Sequence, residues 1–233
     1  MPFPLAFGLP LIAAVALLLR AEIRTPRDTR QVKVWKPLAT LITIAIAALA
    51  FTQPHSHPIY SALIIAGLIC SLVGDWLLID QDTQPKQFVY GLGAFLAAHV
   101  FYIVAFAFAR TLLAVPSNPT RDVAVAAVLL LLGMTVFFYL RPSLGNYAQP
   151  VLLYVTVISL MVHQATIGVE LGRGIGTQGA LAAGGALFFY ASDFMLAINK
   201  FVFSGEDASN SIWVLGAYYA AQFLIASSAS FVH

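Results

Sequence analysis

Charged residues are scarce in this 233-residue chain: Asp, Glu, Lys and Arg together make up 9% of it, against about a quarter of an ordinary soluble domain. That shortage excludes a water-soluble globule. The 60% share of apolar residues agrees, because such a chain needs lipid as its main solvent. The few charges nearly balance, 12 basic against 10 acidic, so no surface for nucleic acid is expected. Cysteine occurs once, as Cys70 inside an apolar run. An intramolecular disulfide and a thiolate metal cluster are therefore excluded, and Cys70 reads as a small buried hydrophobe. The chain has no HExxH pair, GxSxG elbow, P-loop or dinucleotide fingerprint, which argues against covalent serine hydrolysis and nucleotide use. Zinc wants three or four His, Cys or carboxylate ligands. His99 and His163 are available to join carboxylates, but no ligand spacing supports a metal, and no cofactor is expected.

Long apolar runs are what the chain does have. Eight of them, each near the roughly 20 residues that cross a bilayer core, lie near 3–20, 37–53, 58–79, 89–109, 121–140, 149–169, 178–199 and 211–231. The breaks between them carry Pro, Gly, Asn or Asp, which is turn chemistry. The expectation is an all-α polytopic transmembrane helix bundle forming one domain over 1–233, with seven helices as the alternative count. The first run has no basic region ahead of it and no clear cleavage pattern after it, so it reads as a retained helix rather than a signal peptide.

Basic residues orient such a bundle, because cytoplasmic loops retain Lys and Arg. Arg20, Arg24, Arg27, Arg30, Lys33 and Lys36 crowd the first loop, and Lys86, Arg141 and Lys200 fall on the same side, against Arg110, Arg121 and Arg173 opposite. This bias puts both termini outside the cytoplasm; the membrane expected is the cytoplasmic one if the host is bacterial, and an internal membrane such as the endoplasmic reticulum would read the same way. Anionic lipid headgroups are a second use for the first loop's charges. Residues 66–79, AGLICSLVGDWLLI, and 184–198, GGALFFYASDFMLAI, each place an Asp after a small residue near a helix end, with glycine about two turns earlier. The two aspartates are 118 residues and four helices apart, which reads as a weak parallel 4+4 repeat.

Intramembrane carboxylates cost several kcal/mol on insertion scales, so Asp75 and Asp193 are the leading candidates for chemistry. Both fall toward the cytoplasmic ends of odd-numbered helices and can face one cavity. Asp80, Asp82, Glu206 and Asp207 fall in loops and read as solvated. His99 shares a helical face with Phe95 and Tyr102, and Ser71, Tyr190 and Gln222 can also reach inward. Lys36 precedes Pro37, which suits the first turn of the second helix, where it snorkels to headgroups or pairs with a carboxylate. Lys200 follows Asp193 by two turns on nearly the same face. Two carboxylates sharing a low-dielectric site divide their roles, one neutral and one ionised. That division serves acid catalysis, and it serves proton- or ion-coupled transport equally well. A bland alternative is a structural ion pair in an accessory or lipid-sensing membrane protein.

The ordered set KP at 36–37, GDWLLI at 74–79, FVYGLGAFLAAHVFY at 88–102, GALFFYASDFMLAINKF at 185–201 and YYAAQFLI at 218–225 resembles the YhhN family. The family includes the TMEM86-type lysoplasmalogenases, multispanning enzymes that hydrolyse the vinyl ether bond of lysoplasmalogens. The resemblance implies an ether-bond hydrolase acting on a lysophospholipid in the membrane, releasing a fatty aldehyde and glycerophospho-ethanolamine or glycerophospho-choline. It carries over Lys36, Asp75, Phe88, Gly91, His99, Tyr102, Ser192, Asp193, Asn199, Tyr219 and Gln222. A vinyl ether is cleaved by protonating its β-carbon to give an oxocarbenium ion that water captures. The expected catalytic group is then Asp75, Asp193 and His99, one Asp serving as acid and the other as stabiliser or water activator, with His99 or Tyr102 completing a proton relay. Asp193 is the preferred acid, because Phe189 and Tyr190 make its setting more apolar. Lys36, Tyr102, Tyr190, Asn199, Lys200, Tyr219 and Gln222 are the expected substrate contacts, with Lys36 and Lys200 placed for the phosphate.

Overall fold

The structure, a computed structural model, describes residues 8–24, 26–81, 84–169, 176–203 and 208–232. Asp82, Arg173, Glu206 and Asp207 lie outside the described residues. Eight α-helices are described, α1 (Gly8–Glu22), α2 (Thr29–Leu49), α3 (Pro58–Ile79), α4 (Pro85–Leu112), α5 (Pro119–Leu144), α6 (Ala148–Ile167), α7 (Thr177–Phe201) and α8 (Ala208–Ser228), with short 3₁₀ turns after α2, α5 and α8. No strand is present among the described residues. Among the described residues, six stretches are long and apolar enough to cross a membrane, and one of them, Pro119–Ile167, holds both α5 and α6.

The helix starts follow from local chemistry. Proline opens α3, α4 and α5, where its missing N–H is an orphan in any case. The Asn118 side chain accepts the Arg121 amide at 3.1 Å to cap α5, and Gly145 ends that helix at φ +50°. The largest departure from the sequence reading is α2, which begins at Thr29 rather than near 37. Asp28 caps it, accepting the Gln31 amide at 3.1 Å. Pro37 is thus inside the helix, and Lys36 sits about two turns in from its start. Lys36 is buried there among protein groups.

Within each half of the chain, consecutive helices pack as neighbours: α1 on α2, α2 on α3, α3 on α4, then α5 on α6, α6 on α7, α7 on α8. The halves join through α2 against α8 and α4 against α6, two pairings that correspond when α1–α4 is laid over α5–α8. The glycines obey the same register. Gly67 and Gly185 each lie eight residues before an aspartate. A Cβ on Gly67 would enter the Tyr102 ring on α4, and one on Gly185 would come within 2.7 Å of Ile225 Cγ1 on α8. Small residues at such crossings let helices approach closely where lipid supplies no hydrophobic drive. The buried core draws residues from all eight helices.

The first loop is partly neutralised from within. Arg27 binds Glu22 through two N–H groups at 2.5 and 2.7 Å and the Ile79 carbonyl at 2.9 Å. Lys33 pairs with Asp80 at 2.9 Å, so Asp80 is an ion-pair partner tying α2 to the end of α3 rather than a solvated loop carboxylate.

Candidate active site

Asp75, on α3, is buried under groups from α2 and α8. Lys36 Nζ lies 3.6 Å from Oδ1. The Thr40 hydroxyl donates to Oδ2 at 2.5 Å, and the Tyr218 hydroxyl donates to the same oxygen at 2.8 Å. Behind Tyr218, the Gln222 amide donates to its oxygen, and the Thr43 hydroxyl donates to Gln222 Oε1 at 3.2 Å. Tyr219 donates to the Lys36 carbonyl at 3.0 Å and so fixes the turn that carries the ammonium. A buried carboxylate held this way has its charge paired by Lys36 and two hydroxyl donors on one oxygen, which favours keeping an ion in an apolar interior.

Asp193, on α7, is held differently. The Tyr154 hydroxyl, from α6, donates to Oδ2. His99 Nε2, from α4, is 4.0 Å from that oxygen. Neither ring nitrogen of His99 has a hydrogen-bond partner of normal geometry, although the Phe95 carbonyl one turn earlier interacts with the ring. Among the described residues, no donor reaches Oδ1 of Asp193.

Asp193 and Tyr154 are the polar members of a pocket whose free space, counted to its open mouth, is about 590 Å³. Its other walls are hydrocarbon: Leu78 of α3, Phe88, Leu92 and Phe95 of α4, Val136 and Leu140 of α5, Val151 and Val155 of α6, and Phe194, Leu196, Ala197 and Phe201 of α7. Phe88, Tyr147 and Phe201 form a three-ring cluster at one end, with centroids 5.6 to 5.8 Å apart, and Lys200 Nζ stands 4.7 Å from the centre of the Phe88 ring.

The two carboxylates are neighbours separated by rings. Tyr218, which binds Asp75, meets Phe95 and Phe189 edge-on at 5.8 and 5.4 Å. Phe189 meets His99 at 4.8 Å, and His99 meets Tyr154 at 5.3 Å. The structure therefore gathers Lys36, Asp75, Tyr219 and Gln222 on one side of an aromatic partition and His99 with Asp193 on the other. Tyr102 is buried on α4, its hydroxyl turned to Ser71 and bonded to neither carboxylate. Tyr190 points away from the pocket, sharing a hydrogen bond with Ser159 at 3.0 Å and donating to the Leu129 carbonyl at 3.4 Å. Its expected role beside Asp193 falls to Tyr154. Asn199 is buried near the end of α7. His163 bonds the Asp122 carbonyl at 3.1 Å, and no group of three or more metal-type ligands occurs among the described residues.

Sequence reasoning missed Tyr154, Thr40, Thr43 and Tyr218. Three of the four had a positional signal: Thr40 is one turn after Lys36, Tyr218 one turn before Gln222, and Tyr154 lies 118 residues after Lys36, the offset that separates the two aspartates.

The YhhN family model matches residues 31–229. The chain belongs to the YhhN family. The YhhN match begins after α1 and takes in every residue of both carboxylate networks. Among curated YhhN-like relatives, "Lysoplasmalogenase TMEM86A" of Homo sapiens is 35% identical over 178 residues, 75% of this chain and 67% of that protein. "Lysoplasmalogenase" of Mycobacterium tuberculosis is 34% identical over 184 residues, 78% of this chain and 66% of that protein. "Lysoplasmalogenase TMEM86B" of Homo sapiens is 32% identical over 170 residues, 73% of this chain and 64% of that protein. The chain thus spans about two thirds of the length of these relatives. No solved structure matches it.

Proposed function

We propose that this YhhN protein hydrolyses the vinyl ether bond of a lysoplasmalogen, releasing a fatty aldehyde and glycerophospho-ethanolamine or glycerophospho-choline. The observation that carries the reading is a hydrocarbon-walled pocket reaching a partly buried carboxyl with one bonded and one unbonded oxygen. Relatives that bear the name lysoplasmalogenase supply the reaction class. Asp193 is the acid in this reading. Its proton passes to the β-carbon of the vinyl ether, whose π electrons form the new C–H bond. The ether oxygen then shares a lone pair with the α-carbon to give an oxocarbenium ion. Water adds at that carbon and returns a proton to Asp193, and the hemiacetal collapses to aldehyde and alcohol. This is the acid-then-base cycle of a glycosidase carboxyl acting on the same kind of cation.

Asp75, committed to Lys36, Thr40 and Tyr218, contributes as a fixed negative charge behind the aromatic partition, opposite the developing cation. Lys36 serves Asp75 in this scheme, and the phosphate falls to Lys200, beside a ring that lines the pocket. His99 borders Asp193 and relays its proton with water. The protein is a multi-pass membrane protein with both termini on the non-cytoplasmic face, following its basic loops.

The deciding experiment offers purified protein lysoplasmenylethanolamine, its saturated alkyl-ether analogue and its acyl-ester analogue, alongside Asp193→Asn and Asp75→Asn variants. Aldehyde from the vinyl ether alone, lost in Asp193→Asn, supports protonation by Asp193. No product from any of the three lipids with folded protein turns the reading to coupled transport, to be sought as proton flux in liposomes.

A further inference from the structure

The geometry points to Tyr154 as a positioning residue that holds Asp193 by Oδ2 and so reserves Oδ1 for the transferable proton. This rests on the protonation reading above and deepens it. A carboxylic acid has one oxygen that carries the proton and one that accepts. Tyr154 donates to Oδ2, His99 stands 4.0 Å from the same atom, and no described group reaches Oδ1. When the Oδ1 proton leaves for carbon, its bonding electrons stay on the carboxylate, and the hydrogen bond from Tyr154 strengthens as that charge develops. Tyr154 thereby acts on the reaction through Asp193 rather than through the substrate.

The internal repeat gives the second line of argument. Tyr154 stands to Asp193 as Lys36 stands to Asp75, each on the preceding helix and each 39 residues ahead in sequence. The two halves therefore build the same carboxyl seat and fill it with different partners. A lysine in that seat faces its aspartate as an ion pair, with Nζ 3.6 Å from Oδ1, whereas a tyrosine offers one neutral donor and leaves the acid its proton. The residue in this seat decides which aspartate serves as the acid.

The test uses the full-length protein in detergent with Tyr154→Phe, Tyr154→Lys, Asp193→Asn and, as a control, Tyr60→Phe, whose hydroxyl bonds Ser228 and Gln178 away from both carboxylates. Tyr154→Phe keeps the ring in the pocket and is expected to lower kcat about 10- to 100-fold, the range for a hydrogen bond to a charged group, with KM within about twofold. In infrared spectra, the carboxyl band that disappears in Asp193→Asn should move to higher frequency in Tyr154→Phe, as a carbonyl oxygen does on losing a donor. Tyr154→Lys should replace that band with a carboxylate band and abolish aldehyde release, while Tyr60→Phe keeps wild-type kcat. A Tyr154→Phe enzyme with wild-type kcat, a loss confined to KM, or an unmoved band would each overturn the assignment. Failure of the wild-type protein to release aldehyde would instead sink the reaction, and the infrared band would still decide whether Tyr154 holds Asp193.

Discussion

Lys36 shows how much a residue's depth changes its meaning. At a helix boundary a lysine reaches for headgroups, but two turns inside α2 it meets a buried carboxylate 3.6 Å away. Removing one member of such a pair leaves the other charged and alone in an apolar interior, at a cost of about 3–5 kcal/mol. Lys36→Met should therefore lower thermal stability strongly, and adding Asp75→Asn should recover most of the loss. A Lys36→Met protein with unchanged melting and only a raised KM would return this lysine to the phosphate. For Lys200, the same logic predicts the reverse pattern in Lys200→Ala, a KM increase of about 10-fold with kcat and melting little changed, as expected for lost uniform binding. Asp75, Asp193 and His99 were legible in the sequence because charge and imidazole are expensive in lipid. Tyr154 and Tyr218 were not, because a tyrosine in an apolar helix looks like ordinary core until its hydroxyl is seen to have a partner.

At the level of helices, the apolar runs located the elements well, and the errors fell where polar chemistry continues a helix past its apolar stretch. The Asp28 cap extends α2 through a segment rich in Arg and Lys, which hydropathy alone assigns to a loop. Close packing is the other element-scale property that hydropathy does not register. A Cβ on Gly74 would lie 2.6 Å from Phe95 Cε2, and Phe95 is at once a pocket wall and part of the partition between the carboxylates. Gly74→Ala should cost about 1–3 kcal/mol of stability, the usual range for overpacking, and should reduce aldehyde release through displacement of that ring. On α7, Ala197 follows Asp193 by one turn on the same pocket-facing side. Ala197→Phe should fill the pocket next to Asp193 and abolish turnover while leaving the melting temperature near wild type. Measurable turnover by a folded Ala197→Phe protein would show that the substrate reaches Asp193 by another route.

For the whole molecule, the faint repeat of the sequence has a counterpart in two helix pairings, α2 against α8 and α4 against α6. Sequence similarity between the halves survives only around the aspartates and their glycines, because the remaining positions must merely be apolar and many residues satisfy that. What persists is the register of the contacts. One contact pattern crosses between the halves: Asp75, made in the first half, takes a hydrogen bond from Tyr218 in the last helix, while Asp193, made in the second, lies beside His99 of the first. A ribosome emits these groups in order, and so the nascent chain carries Asp75 long before its last donor exists. A protein stopped before Ala208 would hold Lys36, Thr40 and the entire Asp193 pocket and yet leave the Asp75 seat open on one side. A protein truncated there should release no aldehyde until the segment carrying Tyr218 and Gln222 is restored to it.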